Sequence, residues 1–278
     1  MQNGIKKTLF IVTFSLLSAQ VFGHGDLTKR INEKTREISE SPKDFRLYYE
    51  RGLLYQQHIE YTKAHEDYLK SKSLGNTDKA LQYRIAEVNY LAGDYNAALK
   101  SITAYLEVNG SSDVKAKKLE AQILFELGAY KKSLYAYRYV IDTMKDLRPE
   151  DILEYCDIIL AENDKNQEVA LEAIESGLKL LGPNTLSLQL RKLDYLKNSG
   201  QIEKALEQYN YFILEYDRRE FWYYKKAMYL AEMKRPKEAI ISLKLATATI
   251  DRLDMKFKNM NAILKLKEQI KSLEAQLK

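Results

Sequence analysis

One short phrase recurs along this chain at a near-constant interval. YLAGDYNAALKSI at 90–102 returns as LFELGAYKKSLYAY at 124–137, with Gly93 or Gly128, then Tyr95 or Tyr130, then a small residue (Ala98, Ser133). A large apolar residue, Ile102 or Tyr137, follows four places on. A wider ruler places one small residue twelve positions before that pattern. Gly52, Ala64 and Tyr68 fit it, as do Ala86, Ala98 and Ile102, then Ala121, Ser133 and Tyr137, and finally Ala227, Ala239 and Leu243. Two further units fit in part: Ala205 and Tyr209 with Leu193 in the early position, and Ala170 with Ile174 and no early small residue. The late anchors Ala64, Ala98, Ser133, Ala170, Ala205 and Ala239 follow one another at nearly equal steps, the longest between Ser133 and Ala170.

A steady period of about 34 residues limits the chain to stacked supersecondary units. Each unit carries two helical periods around a short turn such as AGD, LGA or NSG. Small residues at the crossing let two helices approach, and the large residue one turn later fills the adjoining gap. One helix pair cannot bury its apolar face alone, so neighbouring pairs share a core. With 11 Gly and 4 Pro in 278 residues, long helices are favoured over many short strands.

This Gly, Tyr, Ala, aromatic and Ala skeleton resembles the tetratricopeptide repeat family. The resemblance covers Phe45 to Asp251 and is weaker in units four and five; the family's early Trp is absent and its terminal Pro mostly missing. It implies an all-α fold, a right-handed superhelical solenoid of stacked helix–turn–helix repeats. About six repeats are expected, starting near 45, 79, 114, 150, 186 and 220. Residues 24–44 are expected to form an N-terminal capping helix with Leu27, Ile31 and Ile38 on one face, ended by Ser41-Pro42. Residues 252–278 are expected to form a C-terminal one. There Ile263, Leu266, Ile270, Leu273 and Leu277 alternate by three and four, a stripe that suits a closing helix or a short dimerising coiled coil.

Residues 1–23 differ from the rest. Lys6 and Lys7 precede the apolar run Thr8–Leu17, and Ser18, Ala19 and Gly23 follow, the order of a secretory signal peptide. The run is shorter than the roughly 20 residues a membrane span needs, and no longer one follows. The expectation is a bacterial periplasmic or secreted protein, without a membrane span in its mature chain. Removing 1–23 deletes two lysines and no acid, taking the net charge from +5 to +3. So mild a balance does not call for nucleic acid. Cys156 is the single cysteine, which excludes an intramolecular disulfide framework.

Motifs for chemistry are scarce. There is no glycine-rich phosphate loop, no CxxC and no HExxH, so neither an enzyme nor a resident cofactor is expected. His58 and His65 fall on either side of a turn, and Cys156 in EYCDIIL reads as a packed helix thiol with no histidine to activate it. One alternative concerns His24. Cleavage after Gly23 would put an α-amine and an imidazole on the same residue, a chelating pair for copper with Asp26 nearby, whereas cleavage after Ala19 would leave Gln20.

Members of the resembled family are usually interaction modules whose first helices line a groove for a peptide or protein segment. Positions the family turns inward correspond here to Arg46, Tyr49, Glu50 and Leu53 in unit one, and Tyr83, Arg84, Glu87 and Tyr90 in unit two. Unit three contributes Lys118, Gln122 and Phe125, and units five and six Arg191, Asp194, Tyr224, Lys225 and Met228. Tyr and Arg are favoured at interfaces, although about half of the tyrosines are expected to be inter-repeat core. In one branch of the family Lys and Asn clamp a partner's terminal carboxylate. Tyr49 and Tyr83 stand at the corresponding first position, so that clamp is not expected. The expected partner is an extended segment of mixed polarity, and a monomer is favoured.

Overall fold

The computed structural model describes residues 17–110 and 112–277, with side chains from residue 25 onward. The basic and apolar parts of the expected signal peptide, up to residue 16, lie outside the described residues. Every regular element described is a helix. The chain divides into two compact units, 1–140 and 141–278.

The first unit contains α1 (Leu17–Glu40), α2 (Phe45–Gln57), α3 (Tyr61–Ser73), α4 (Lys79–Leu91), α5 (Tyr95–Asn109), α6 (Val114–Glu126) and most of α7 (Tyr130–Thr143). Aspartates start four of these helices: Asp44, Asp78, Asp94 and Asp113 accept hydrogen bonds from the backbone N–H groups of Arg46, Ala80, Ala97 and Ala116. Each satisfies a donor that a helix start would leave unpaired.

The residues picked out by periodicity are the crossing points. Ala64, Tyr68, Ala86, Ala98, Ile102, Ala121 and Tyr137 are completely buried. At Gly52 even a methyl group would be too large, since a Cβ there would lie 2.6 Å from the Tyr68 ring. Buried hydroxyls bind the second helix of a pair to the first: Ser71 donates to the Phe45 carbonyl at 2.8 Å and Ser133 to that of Ala121 at 2.7 Å. On α1, Ile31 and Ile38 are buried. Arg51 makes a two-pronged pair with buried Asp67 and also donates to Thr35 of α1 at 3.0 Å. Lys34 of α1 reaches Glu50 at 2.7 Å, and its hydrogen bonds to Glu37 and then to Glu50 hold its ammonium in the charged form.

The second unit contains α8 (Pro149–Glu162), α9 (Gln167–Leu181), α10 (Leu186–Asn198), α11 (Ile202–Glu215), α12 (Arg219–Glu232), α13 (Pro236–Asp251), the short α14 (Met255–Lys258) and α15 (Asn261–Gln276). Pro149 and Pro236 open α8 and α13, where the missing N–H costs nothing. The α8–α9 pair has no small residue in the expected early position. Its close approach is made instead by Gly177 on the second helix, where a Cβ would meet Ile152 at 2.9 Å and Leu188 at 3.2 Å. In α10 and α11 a buried amide pair, Gln208 Nε2 to Gln189 Oε1 at 2.6 Å, spans the crossing.

The stripe at the C-terminus is used within this unit. Ile263, Leu266 and Ile270 are buried, and α15 packs on α12 and α13.

Five of the six turns between paired helices contain one left-handed residue, and the α8–α9 turn contains none. Gly93, Gly128 and Gly200 supply it at φ 82°, 73° and 69°. The first and sixth pairs use Ile59 (φ 65°) and Lys234 (φ 58°) instead, a conformation that crowds a Cβ and a β-branched one most.

Candidate functional site

In the first unit, the candidate residues lie on α2, α4 and α6. Arg46 is exposed and forms two hydrogen bonds with Asp44, at 2.9 and 2.8 Å, which keeps the Asp44 carboxyl below its ordinary range. Glu50 is exposed and paired with Lys34. Tyr49, Tyr83 and Tyr90 are all half-buried. Tyr49 packs on the Ala64–Tyr68–Leu81 core with its ring 5.8 Å from that of Tyr68. Tyr83 stands edge-on to Tyr105 at 5.9 Å, and burial pushes its phenol up to about 12. Tyr90 lies 5.9 Å from Tyr95.

A polar chain joins Arg84 and Glu87 to the core. The hydroxyl of Tyr68 donates to Gln56 Oε1 at 2.7 Å, and Gln56 Nε2 donates to Glu87 Oε2 at 2.7 Å. Arg84 donates to the same carboxylate oxygen at 2.5 Å. These two candidates therefore hold α2 and α4 in register. Lys118 and Gln122 on α6 are half-buried, and Phe125 packs against Tyr130.

In the second unit, Arg191 on α10 reaches Asp157 on α8 at 2.5 Å and the Tyr195 hydroxyl at 3.3 Å. Its charge is thus spent largely on joining two first helices. Tyr224 is half-buried.

Asp194, Lys225 and Met228 have a different setting. They line a pocket of about 250 Å3 between α10, α11 and α12. Its wall includes Trp222, whose ring stacks on that of Phe212 at 4.1 Å and 7°. Lys225 Nζ sits 4.2 Å from the Trp222 ring centre, and Lys197 Nζ sits 5.4 Å from that of Tyr229. Asp194 and Glu232 are exposed and make no side-chain hydrogen bond or ion pair among the described residues. Tyr229 is 3% exposed, and its buried hydroxyl has no hydrogen-bond partner. Burial raises its pKa, and the Glu232 carboxylate adds to the effect, so the phenol keeps its proton.

Cys156 is fully buried, its thiol is pushed up to about 12 by burial, and its Sγ points at the Ala170 carbonyl. His58 caps α2 and contacts Glu60 at 2.9 Å, whereas His65 lies on α3. Among the described residues no three His, Cys, Asp or Glu side chains gather into a metal site. The backbone of His24 runs within α1, and its side chain lies outside the described residues.

No family model matches the chain. A tetratricopeptide repeat-containing protein of Methanocaldococcus jannaschii is 23% identical over 185 residues, covering 66% of this chain. The chain spans about 30% of that relative's length. Among solved structures, the C-terminal part of a tetratricopeptide repeat-containing protein from Cytophaga hutchinsonii superposes with a TM-score of 0.65 at 14% identity, covering 86% of this chain and 96% of the other. This chain has the tetratricopeptide-repeat fold. A tetratricopeptide repeat protein from Parabacteroides merdae is similar over 94% of this chain and 95% of its own, with a TM-score of 0.55 and 14% identity. A third chain of like fold, from a Cut9–Hcn1 hetero-tetramer, reaches 0.50 at 13% identity over 91% of this chain and 46% of its own.

Within this tetratricopeptide-repeat fold, projecting first-helix positions finds part of the pocket. It misses Trp222, Tyr229 and Glu232 on α12, and Lys197 on α10. A signal for them exists in the spacing. Leu190, Asp194 and Lys197 form one helical stripe, and Trp222, Lys225, Tyr229 and Glu232 form another.

Proposed function

We propose that this chain is a non-catalytic scaffold that holds a segment of another protein against its first helices, outside the cytoplasm. The observation that carries the reading is the pocket between α10 and α12. It is an open recess on first-helix side chains, with two carboxylates lacking ion pairs and a tryptophan in its wall. Aromatic anchors set among polar groups suit a peptide surface better than a catalytic centre. A chain of the same fold stands in a hetero-tetramer with another protein, which supports assembly as the role. The order of lysines, apolar run and small residues at the N-terminus supports export. No described helix is long and apolar enough to cross a membrane.

The test uses single Ala variants at the pocket residues Asp194, Trp222, Lys225, Met228 and Glu232, with crosslinked partner capture and melting temperature measured together. Lost capture with unchanged melting at two or more positions supports the interaction face. Capture lost only together with stability would make these residues core, and capture retained by all five would refute the face. Terminal sequencing of protein from its native host tests export, with a start at His24 or Gln20 expected and an intact Met1 in the cytoplasmic fraction refuting it.

A further inference from the structure

The C-terminal end of the second unit collects positive charge and apolar side chains that its packing does not use. Residues 252–278 hold seven Lys or Arg against three Asp or Glu, whereas residues 24–251 hold 35 against 36. The positive balance of the chain beyond residue 23 therefore comes from this segment alone. Lys34, Lys63, Lys117 and Lys192 pair with glutamates elsewhere in the chain. Lys256, Lys258, Lys265, Lys267 and Lys271 make no ion pair among the described residues, and neither do Asp254, Glu268 and Glu274. In the recess between α13 and α15, Lys244, Lys267 and Lys271 outnumber Asp251 and Glu274.

Exposed apolar groups lie among these lysines. The single turn α14 contains no buried residue, and Met255 and Phe257 alternate there with Lys256 and Lys258. Met255 is 67% and Phe257 43% exposed, and Met260 and Leu264 are exposed on the way into α15, on which α14 packs. Leu264, Lys267 and Lys271 then follow at steps of three and four, along one side of α15 beside its buried stripe. Single exposed apolar residues are ordinary, but four of them within ten positions mark a surface that meets something else.

We propose that this basic and apolar end docks on the surface of an anionic lipid membrane. The chemistry favours a lipid surface over a peptide. A peptide needs a shaped recess that pairs or covers its backbone. A bilayer interface needs only apolar groups that enter the acyl boundary and cations that stay among the headgroups. A turn that buries nothing and alternates Met and Phe with lysines meets the second requirement. Lysine stems lie along apolar surface while their ammonium groups reach outward, where anionic headgroups supply the missing counter-charge. The proposal does not rest on the partner face at α10 and α12.

Protein recovered from its native host is mixed with vesicles of phosphatidylcholine and phosphatidylglycerol in equal parts, and binding is measured by cosedimentation. Vesicles of phosphatidylcholine alone serve as the comparison, with binding about tenfold weaker or less expected there. Salt at about 1 M shortens the screening length to about 3 Å and should release the protein from anionic vesicles. Lys256→Gln with Lys258→Gln should weaken anionic binding about tenfold or more, since each lysine near such a surface contributes roughly fivefold. Phe257→Ser should weaken it by about tenfold as well. Neither variant should lower the melting temperature, because α14 buries no residue. Lys131→Gln with Lys132→Gln removes the same charge from an exposed site on α7 and should weaken binding by less than about threefold. All variants share one N-terminus, so residues before His24 cannot produce these differences. Equal binding to neutral vesicles, no binding to anionic ones, no effect of the α14 variants, or an equal loss from the α7 pair overturns the proposal. So does capture of a glutamate-rich peptide without vesicle binding, which would give the face to an acidic protein segment.

Discussion

Replacing Gly52 with alanine tests whether the small residues of the repeat are there for helix contact. The new Cβ would lie 2.6 Å from Tyr68 Cε1, 2.7 Å from Cδ1 and 3.3 Å from Cζ. Carbon atoms in contact prefer about 3.5–4.0 Å, so the ring must move by roughly 1 Å. Tyr68 is fully buried, and its hydroxyl is tied to Gln56 and through it to Glu87 and Arg84. Overpacking of this kind costs about 1–3 kcal/mol, and a strained Tyr68–Gln56 hydrogen bond adds about 1 kcal/mol. Alanine returns about 0.8–1.0 kcal/mol through its helix propensity. The clash wins, leaving a net loss of about 2 kcal/mol. At roughly 2–4 °C per kcal/mol for a chain of this size, melting followed by far-UV circular dichroism should fall by about 4–8 °C. Gly52→Ala combined with Tyr68→Leu should lose less than the two single effects together, by about 1 kcal/mol or more, because the shorter side chain relieves the clash. An unchanged or raised melting temperature for Gly52→Ala, or strict additivity in the pair, would refute the reasoning.

Other outcomes follow from individual environments. Ile59→Gly should raise stability by up to about 1 kcal/mol in urea melts, because it removes a β-branched residue from a left-handed turn position. Leu266→Ala should lower stability by about 2–5 kcal/mol, because α15 buries that side chain against its own unit. A melt unaffected by this change would mean that α15 does not pack there. Burial is the main reason why the Tyr83 and Tyr195 phenols and the Cys156 thiol are pushed up to about 12. The folded state therefore holds these protons more tightly than the unfolded chain, and the resulting stability is complete below the ordinary thiol and phenol range. It is lost as pH rises towards 12, so melting temperatures should fall between about pH 9 and 12. Over the same range Cys156 should react with thiol reagents only as the chain opens.

The repeat was legible because a helix crossing is a steric constraint on residue size, and steric constraints leave a period in the sequence. Gly52, Ala64, Ala86, Ala98 and Ala121 are small since another backbone or ring passes beside them. The same logic found Ala170 and Ala205 but not Gly177, which makes the α8–α9 contact from the second helix. Periodicity gives a residue's face and says little about its partner. Arg84 and Arg191 stand on the first helices as projected, yet both are tied into the scaffold, Arg84 through Glu87 and Arg191 through Asp157 of α8.

What the sequence determined by itself was the all-α class, the pairing of helices at a near-constant interval and which faces point to the crossings. These depend on residue size and hydrophobicity at fixed spacing, properties that each helix carries alone. Tertiary structure decided which of 21 tyrosines are satisfied. Tyr68, Tyr105 and Tyr211 meet acceptors brought by other segments, while Tyr229 meets none and lines a pocket. Tyrosines at equivalent helical spacing are indistinguishable in one dimension. A hydrogen bond needs two groups within about 3 Å, and only the packing of one helix on the next sets that distance.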